Sequence, residues 1–182
     1  LGEALIDRLG PLGGDPACDS AVDDRLGGAP ANVACGLARL GTLVSFVGRV
    51  GGDAIGADFQ HLFGQRGVDT STLQVDPSHP TRIVLVRRSG DGERQFQGFA
   101  GDQGDGFADQ ALQTVALPST ARWLLVGTIP LASAQSAKAL LDAAAEARSQ
   151  GIALALDVNW RPTFWDPAAD PVAGPTQAAK SA

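Results

Sequence analysis

Apolar positions recur along this chain with two alternating periods. Short apolar runs of strand length share a near-continuous hydrophobic pattern, and they fall at 1–6, 43–48, 122–126 and 152–156. Longer segments repeat their apolar residues at helical spacing, and they fall at 30–40, 54–66 and 131–149. Strands that alternate with helices of this length predict βαβ units, and therefore an α/β domain with a parallel sheet between two helical layers.

Two segments depart from this alternation. Residues 82–88 and 94–99 read as strands on either side of Ser89-Gly90-Asp91-Gly92-Glu93, a hairpin signal that predicts a small antiparallel addition to the sheet. Residues 167–182 are rich in Pro, Ala, Gly, Ser and Thr, and predict a loop or disordered tail. We therefore expect one domain over 1–166.

Composition narrows the classes of function. Of 182 residues 44% are hydrophobic and 19% charged, which is typical of a globular domain with a core. The net charge of −6 and the scattered basic residues argue against nucleic acid as a partner. No apolar run approaches the ~20 residues that cross a bilayer, so no membrane association is expected. Without a signal-peptide pattern, a cytoplasmic location is the expectation.

Cysteine, histidine and methionine add three smaller observations. Cys18 and Cys35 leave a disulfide open, although two thiols in such a chain are more often buried or idle. His61 and His79 lack the spacing of a metal site with the cysteines. The chain contains no Met and opens inside an apolar run, so we expect it to be a fragment that lacks its natural start.

The segment GGAPAN at 27–32 leads directly into a predicted helix. Two glycines allow a backbone to approach a ligand closely, and a helix N-terminus offers free N–H groups. Asn32, one turn into the helix, carries a donor and an acceptor that suit a sugar hydroxyl. Taken alone, Gly-Gly before a helix is more often a simple turn than a binding site.

A longer stretch carries a resemblance. The segment GGAPANVACGLARLGTLVSFVGRVG at 27–51 is similar to the first signature of the ribokinase-like (PfkB) carbohydrate kinases. The likeness continues in four further blocks: GDAIG at 52–56, RGVDT at 66–70, GEALID at 2–7 and DVNWRP at 157–162. The last two resemble bacterial and plant-type fructokinases. The resemblance implies a ribokinase-like three-layer α/β/α fold with a mainly parallel sheet and a small β lid, truncated at the C-terminus.

Specific roles follow from the resemblance. The matching family positions make Asp7, Gly28 and Asn32 sugar-binding residues, although Asp7 alone is also a solvated carboxylate at a strand end. Asn159 matches a residue that helps hold nucleotide phosphate and the water shell of Mg²⁺. Arg161 is a phosphate candidate, or else pairs with Asp157 on the surface.

The resemblance also implies a lid and a missing base. Lid segments of about 12–26 and 81–99 would cover the sugar or mediate a homodimer, and the sequence does not separate these uses. The family's general base is an Asp in a Gly-Ala-Gly-Asp segment, expected beyond residue 182. Ala100-Gly101-Asp102 matches three residues of that segment, but it lies in a predicted loop. We therefore assign no catalytic residue, and expect the chain to be inactive alone.

The implied activity is ATP-dependent phosphorylation of a sugar hydroxyl with Mg²⁺, and fructose is the implied substrate. Kinases of ribose, 2-keto-3-deoxygluconate or a nucleoside are alternatives within the family. A non-catalytic, truncated sugar-binding remnant is the alternative outside it. For Arg49 and Asp53 we favour a structural role, with Gly52-Asp53 capping the next helix.

Overall fold

A computed structural model describes residues 1–102 and 104–159. The strands are β1 Leu5–Leu12, β2 Asp23–Gly27, β3 Gly48–Gly51, β4 Leu73–Asp76, β5 Ile83–Arg88, β6 Arg94–Ala100, β7 Trp123–Gly127 and β8 Ala153–Asp157. The α-helices are α1 Ala29–Arg39, α2 Ala54–Arg66 and α3 Ala134–Ser149. Short 3-10 helices occupy Ala108–Ala111 and Ile129–Ala132. The predicted tail at 167–182 lies outside the described residues.

A parallel sheet, which we call the body sheet, forms around the start of the chain. β3 pairs in parallel with β4, and β7 pairs in parallel with β8. The backbone of residues 1–2 joins these two pairs. The Leu1 nitrogen donates to the Leu125 carbonyl at 2.6 Å, Gly127 N–H donates to the Leu1 carbonyl, and Gly2 N–H donates to the Val47 carbonyl at 3.0 Å. The order is therefore β4, β3, the chain start, β7, β8.

Helices cover the body sheet from two sides. Phe46 and Val47 are neighbours in the chain but join different clusters, because successive side chains on an extended backbone face opposite ways. Val47 packs with Leu140 on the side of α3, and Phe46 packs with Phe63 on the side of α1 and α2. In the part of the chain that the structure describes, no helix is long and apolar enough to cross a bilayer.

A second sheet, which we call the small sheet, has the order β2-β1-β5-β6. β1 is parallel to β5, while the β1–β2 and β5–β6 pairs are antiparallel. Ser89 N–H donates to the Glu93 carbonyl at 2.9 Å, which closes the turn between β5 and β6. The hairpin predicted at 82–99 is therefore confirmed.

Several predicted bounds were wrong, for identifiable reasons. The first strand was expected to end at Ile6, but the backbone continues to Leu12 and accommodates Pro11 at an irregularity in its pairing with β5. The run 43–48 is not a strand as a whole, since regular pairing begins at Gly48 and Ser45 makes an isolated bridge. β4 was not predicted. The helix expected over 131–149 opens as a 3-10 turn before α3.

Candidate active site

The turn between β2 and α1 requires both of its glycines. Gly28 has φ of 97°, a region that side chains rarely enter, and a Cβ there would lie 2.6 Å from the Glu3 carbonyl oxygen. A Cβ on Gly27 would lie 2.5 Å from Oδ2 of Asp7. The backbone therefore passes over the strand residues 3–7 at contact distance, with the Asp7 carboxylate against it.

Helix α1 begins at this turn with an exposed polar side chain. Gly28 is the N-cap and provides no side-chain cap, while Pro30 occupies the first turn. Asn32 N–H donates to the Gly28 carbonyl at 2.9 Å, the first hydrogen bond of the helix, and the Asn32 side chain is exposed to solvent. An exposed amide side chain therefore lies in the first turn of the helix, directly after the glycine turn.

Asp7 lies inside β1 rather than just beyond a strand end, which corrects the predicted placement. It pairs with Arg25 of β2 and with Val84 of β5, and it is half-buried. The same backbone pairs with the body sheet at residues 1–2, so Asp7 lies shortly after it leaves that sheet. Asp7 on β1 therefore lies against the glycine turn that contains Gly28, and Asn32 follows that turn in the first turn of α1.

Asn159 follows β8 at the same edge of the body sheet. Asp157, the last residue of β8, is in register with Gly127 of β7. A Cβ on Gly127 would lie 3.0 Å from Cγ of Pro30, so the ends of β7 and β8 adjoin the start of α1. Asn159 is half-buried two residues further on. Arg161 lies outside the described residues.

Glu3 is a polar residue at this edge that the sequence did not single out. Its side chain is only 3% exposed. Oε1 accepts the Ala29 N–H at 3.1 Å, and Oε2 has no hydrogen-bond partner within the described structure. Burial raises the pKa of the Glu3 carboxyl to about 7. The sequence held one indication of this buried carboxyl, because Glu3 is a charged residue inside an apolar run of strand length.

Arg82 and Asp109 form a second buried polar contact that the sequence did not reveal. The guanidinium donates to both carboxylate oxygens at 2.8 and 2.9 Å. Its carbon lies 4.7 Å from the ring centre of Phe99 and 4.4 Å from that of Phe107. Since Arg82 directly precedes β5 and Asp109 belongs to a 3-10 helix outside the small sheet, the pair ties the small sheet to the body.

Asp53 caps α2, as the sequence predicted. Its carboxylate accepts the Gly56 N–H at 2.8 Å, and also the N–H and hydroxyl of Thr81 at 2.7 and 2.8 Å. Burial opposes ionisation, but these hydrogen bonds outweigh it and lower the pKa of Asp53. Arg49 pairs with Asp76 at 2.8 Å. Both motif residues therefore have structural partners.

A wide groove lies away from these residues. A groove of ≈ 780 Å³ runs between α1 and β7, and residues such as Leu37, Leu43 and Trp123 line it. Leu43 is 100% exposed and Trp123 is 72% exposed. None of the described candidate residues lines this groove. It follows that size alone does not identify the site.

Residues 1–102 and 104–159 contain no group of three His, Cys, Asp or Glu side chains that could hold a metal ion. In the same ranges Cys18 and Cys35 are free thiols. Ala100-Gly101-Asp102 ends β6 and enters a loop in which Asp102 accepts the N–H groups of Gly104 and Gly106. It is a loop, as predicted.

The fold resembles solved fructokinase structures. The apo form from Vibrio cholerae O395 has a TM-score of 0.80 at 33% identity, with 100% of this chain and 60% of that chain covered. A fructokinase from Xylella fastidiosa with bound ATP has a TM-score of 0.83 at 30% identity, with 100% and 57% covered. These neighbours confirm the predicted ribokinase-like α/β fold.

Sequence comparison gives the same assignment. A fructokinase of Salmonella typhimurium is 36% identical over 167 residues, which are 91% of this chain and 51% of the relative. The probable chloroplastic fructokinase-6 of Arabidopsis thaliana is 32% identical over 171 residues, 93% and 44% of the two chains. The chain spans about half the length of the curated relatives it matches. The family model of the pfkB family carbohydrate kinases matches residues 1–177, and the chain belongs to that family.

Proposed function

We propose that this chain forms the sugar-binding part of an ATP-dependent sugar kinase whose substrate is fructose. The observation that carries the proposal is the contact of the Asp7 carboxylate with the Gly27-Gly28 turn, from which α1 begins and presents the exposed Asn32. Its fructokinase relatives support the choice of sugar. So does a Vibrio cholerae fructokinase in a form with fructose, ADP and calcium ion bound, at 30% identity.

The chemistry of these residues suits a polyhydroxylated ligand. A carboxylate such as Asp7 can accept hydrogen bonds from two neighbouring hydroxyls, and the amide of Asn32 can both donate and accept. Gly28 lets a hydroxyl approach the backbone without meeting a side chain. A sugar bound here would lie between the small sheet and the first turn of α1.

The nucleotide would approach from the end of β8. We assign phosphate contact to Asn159 and, beyond the described residues, to Arg161. Mg²⁺ would arrive on the phosphates of ATP and keep several of its waters, since it is usually held by few protein ligands. When bound, the metal neutralises charge on the transferred phosphoryl group. We assign the general base to no residue of this chain.

The small sheet would act as a lid over the sugar. Water excluded from the acceptor hydroxyl cannot compete for the phosphoryl group. The same sheet is also our candidate surface for a homodimer, because β2 and β6 are its edge strands and Phe96 on β6 is 39% exposed. Sedimentation of the full-length protein and of Phe96→Asp tests the dimer, which the variant should dissociate.

The site is tested by the separation of two Michaelis constants in the full-length protein. Asp7→Asn and Asn32→Ala should raise the KM for fructose by about 5- to 100-fold, because each leaves sugar hydroxyls unpaired. The KM for ATP should stay within about twofold. Asn159→Ala should raise the KM for ATP and lower kcat. Asp58→Asn, an exposed carboxylate on α2, is the matched control.

Two results would contradict the proposal. Equal effects of the three variants on both substrates would indicate misfolding instead of separate roles. A kcat/KM for ribose, adenosine or 2-keto-3-deoxygluconate above that for fructose would overturn the sugar assignment while leaving a kinase.

A further inference from the structure

Glu3 is buried at the centre of the candidate site, yet its carboxyl is only partly hydrogen-bonded. Oε1 accepts the Ala29 N–H, and Oε2 has no partner among the described residues. Burying a carboxyl group with an unsatisfied oxygen costs free energy, so a native structure needs a compensating reason to keep it. Glu3 is only 3% exposed, so its side chain is not itself available to a ligand.

The surroundings of Glu3 show what it holds. Its carbonyl oxygen lies under Gly28, where a Cβ would approach to 2.6 Å. Its Oε2 lies against Gly127, where a Cβ would approach to 3.2 Å. Pro30 of α1 packs on the same glycine, since a Cβ on Gly127 would lie 3.0 Å from Cγ of Pro30. The Glu3 side chain is therefore wedged between the end of β7 and the first turn of α1.

The start of α1 depends on this contact. The N-cap Gly28 has no side chain, so it cannot satisfy the N–H groups that every helix leaves free in its first turn. Glu3 supplies an acceptor to one of them from the neighbouring strand segment. Burial raises the pKa of Glu3 to about 7. A carboxyl group that is partly protonated has a smaller free-energy cost of burial for its unsatisfied oxygen.

We propose that Glu3 is a positioning residue for the sugar site, which through the Ala29 amide fixes Gly28 and Asn32 relative to Asp7. The effect on sugar binding rests on the proposed function, whereas the effect on the helix start does not. Asp7 is held by backbone pairing on both sides in the small sheet. If the start of α1 shifts, Asn32 moves while Asp7 stays, and one sugar no longer meets both side chains.

The test compares Glu3→Ala and Glu3→Gln in the full-length protein. Glutamine keeps an acceptor oxygen in the same place, and alanine removes it. Glu146→Ala is the matched control, because Oε1 of Glu146 also accepts a backbone amide, that of Leu117 at 3.1 Å, but lies on α3. If Glu3→Ala yields no folded protein, Glu3→Asp takes its place, since the shorter side chain cannot reach Ala29.

The first readout is hydrogen exchange of a peptide covering 27–34, which needs no substrate. Glu3→Ala should exchange there about tenfold faster than wild type, because the helix start loses its acceptor. Glu3→Gln should stay within about threefold, and a peptide covering α2 should not change. In the second readout, Glu3→Ala should raise the KM for fructose about tenfold and leave the KM for ATP within about twofold. Glu146→Ala should do neither.

Three outcomes would overturn the proposal: unchanged exchange in Glu3→Ala, a rise of both Michaelis constants together, or a Glu3→Gln variant as impaired as Glu3→Ala. A wild-type protein that phosphorylates no fructose would contradict the proposed function. The exchange readout would still decide the role of Glu3 at the helix start.

Discussion

The body sheet and the small sheet are built on different principles. The body sheet is parallel and is covered by helices on two sides, with Phe46, Phe59 and Phe63 among its fully buried side chains. The small sheet is mixed, and its edge strands β2 and β6 carry mostly exposed residues. Apolar burial is therefore more extensive in the body, whereas the small sheet adds only a smaller buried cluster of Leu5, Leu9, Val84 and Val86 to its backbone pairing and its polar contacts.

Those polar contacts cluster where the two sheets meet. Asp53 binds Thr81, Arg82 binds Asp109, and both contacts immediately precede β5. Glu3 holds the start of α1 at the same place. The candidate site lies at this junction, which suggests why buried polar groups, otherwise costly, are concentrated there.

The largest effect should come from the body core. Phe63→Ala removes a fully buried ring that packs 4.7 Å from the Phe46 ring centre, and should lower the free energy of unfolding by about 3–5 kcal/mol. Leu12→Ala, in the small sheet, should cost less than about 1 kcal/mol because its side chain is 63% exposed. Urea denaturation of the full-length protein measures both. Equal costs would remove the distinction between the two sheets.

The next effect should come from the contact between the two sheets. Arg82→Met leaves the Asp109 carboxylate buried without its partner and should cost about 3 kcal/mol in thermal unfolding. Adding Asp109→Leu should recover most of this loss. Arg8→Met is the control, since its pair with Asp24 is partly exposed and should be worth less than about 1 kcal/mol. A double variant no better than Arg82→Met would contradict this account of the pair.

A smaller effect should appear as a pH dependence. The folded-state pKa of Glu3 is about 7, above its ordinary value of 4.5, so ionisation opposes folding and stability is lost as the pH rises from 4.5 to 7. The charge of Asp109 raises the pKa of the same carboxyl further. Relative to Glu3→Gln, the wild-type protein should lose about 3 kcal/mol over this range. Parallel unfolding profiles of the two proteins would refute the assignment.

Sequence patterns predicted the parts of the fold that depend on local signals. Helix α2 was placed at its observed bounds because Asp53 caps its start and Gly67 ends it in the left-handed conformation. The β5–β6 hairpin likewise follows from its turn residues. By contrast, the continuation of β1 through Gly10-Pro11 depends on pairing with β2 and β5, distant strands that the local sequence does not specify.

The candidate site divides in the same way. The Gly27-Gly28 turn and the exposed Asn32 were recognisable from their position before a helix. The role suggested for Asp7 depended on the family resemblance, because a lone carboxylate near a strand has no distinctive pattern. Glu3 and Arg82 were missed because only the folded chain shows that each is buried and which partner it meets.

Residues 1–12 form one continuous backbone that serves both sheets, and this limits how the small sheet can move. Sliding along the backbone axis would break pairing on both sides, from Gly2 with Val47 to Ile6 with Arg82. Asp7 lies two residues beyond Leu5, where this backbone passes from the body sheet into the small sheet, while the turn at 89–93 lies at the far end of the β5–β6 hairpin. Any rotation of the small sheet about that crossing would therefore displace Asp7 much less than it displaces the turn.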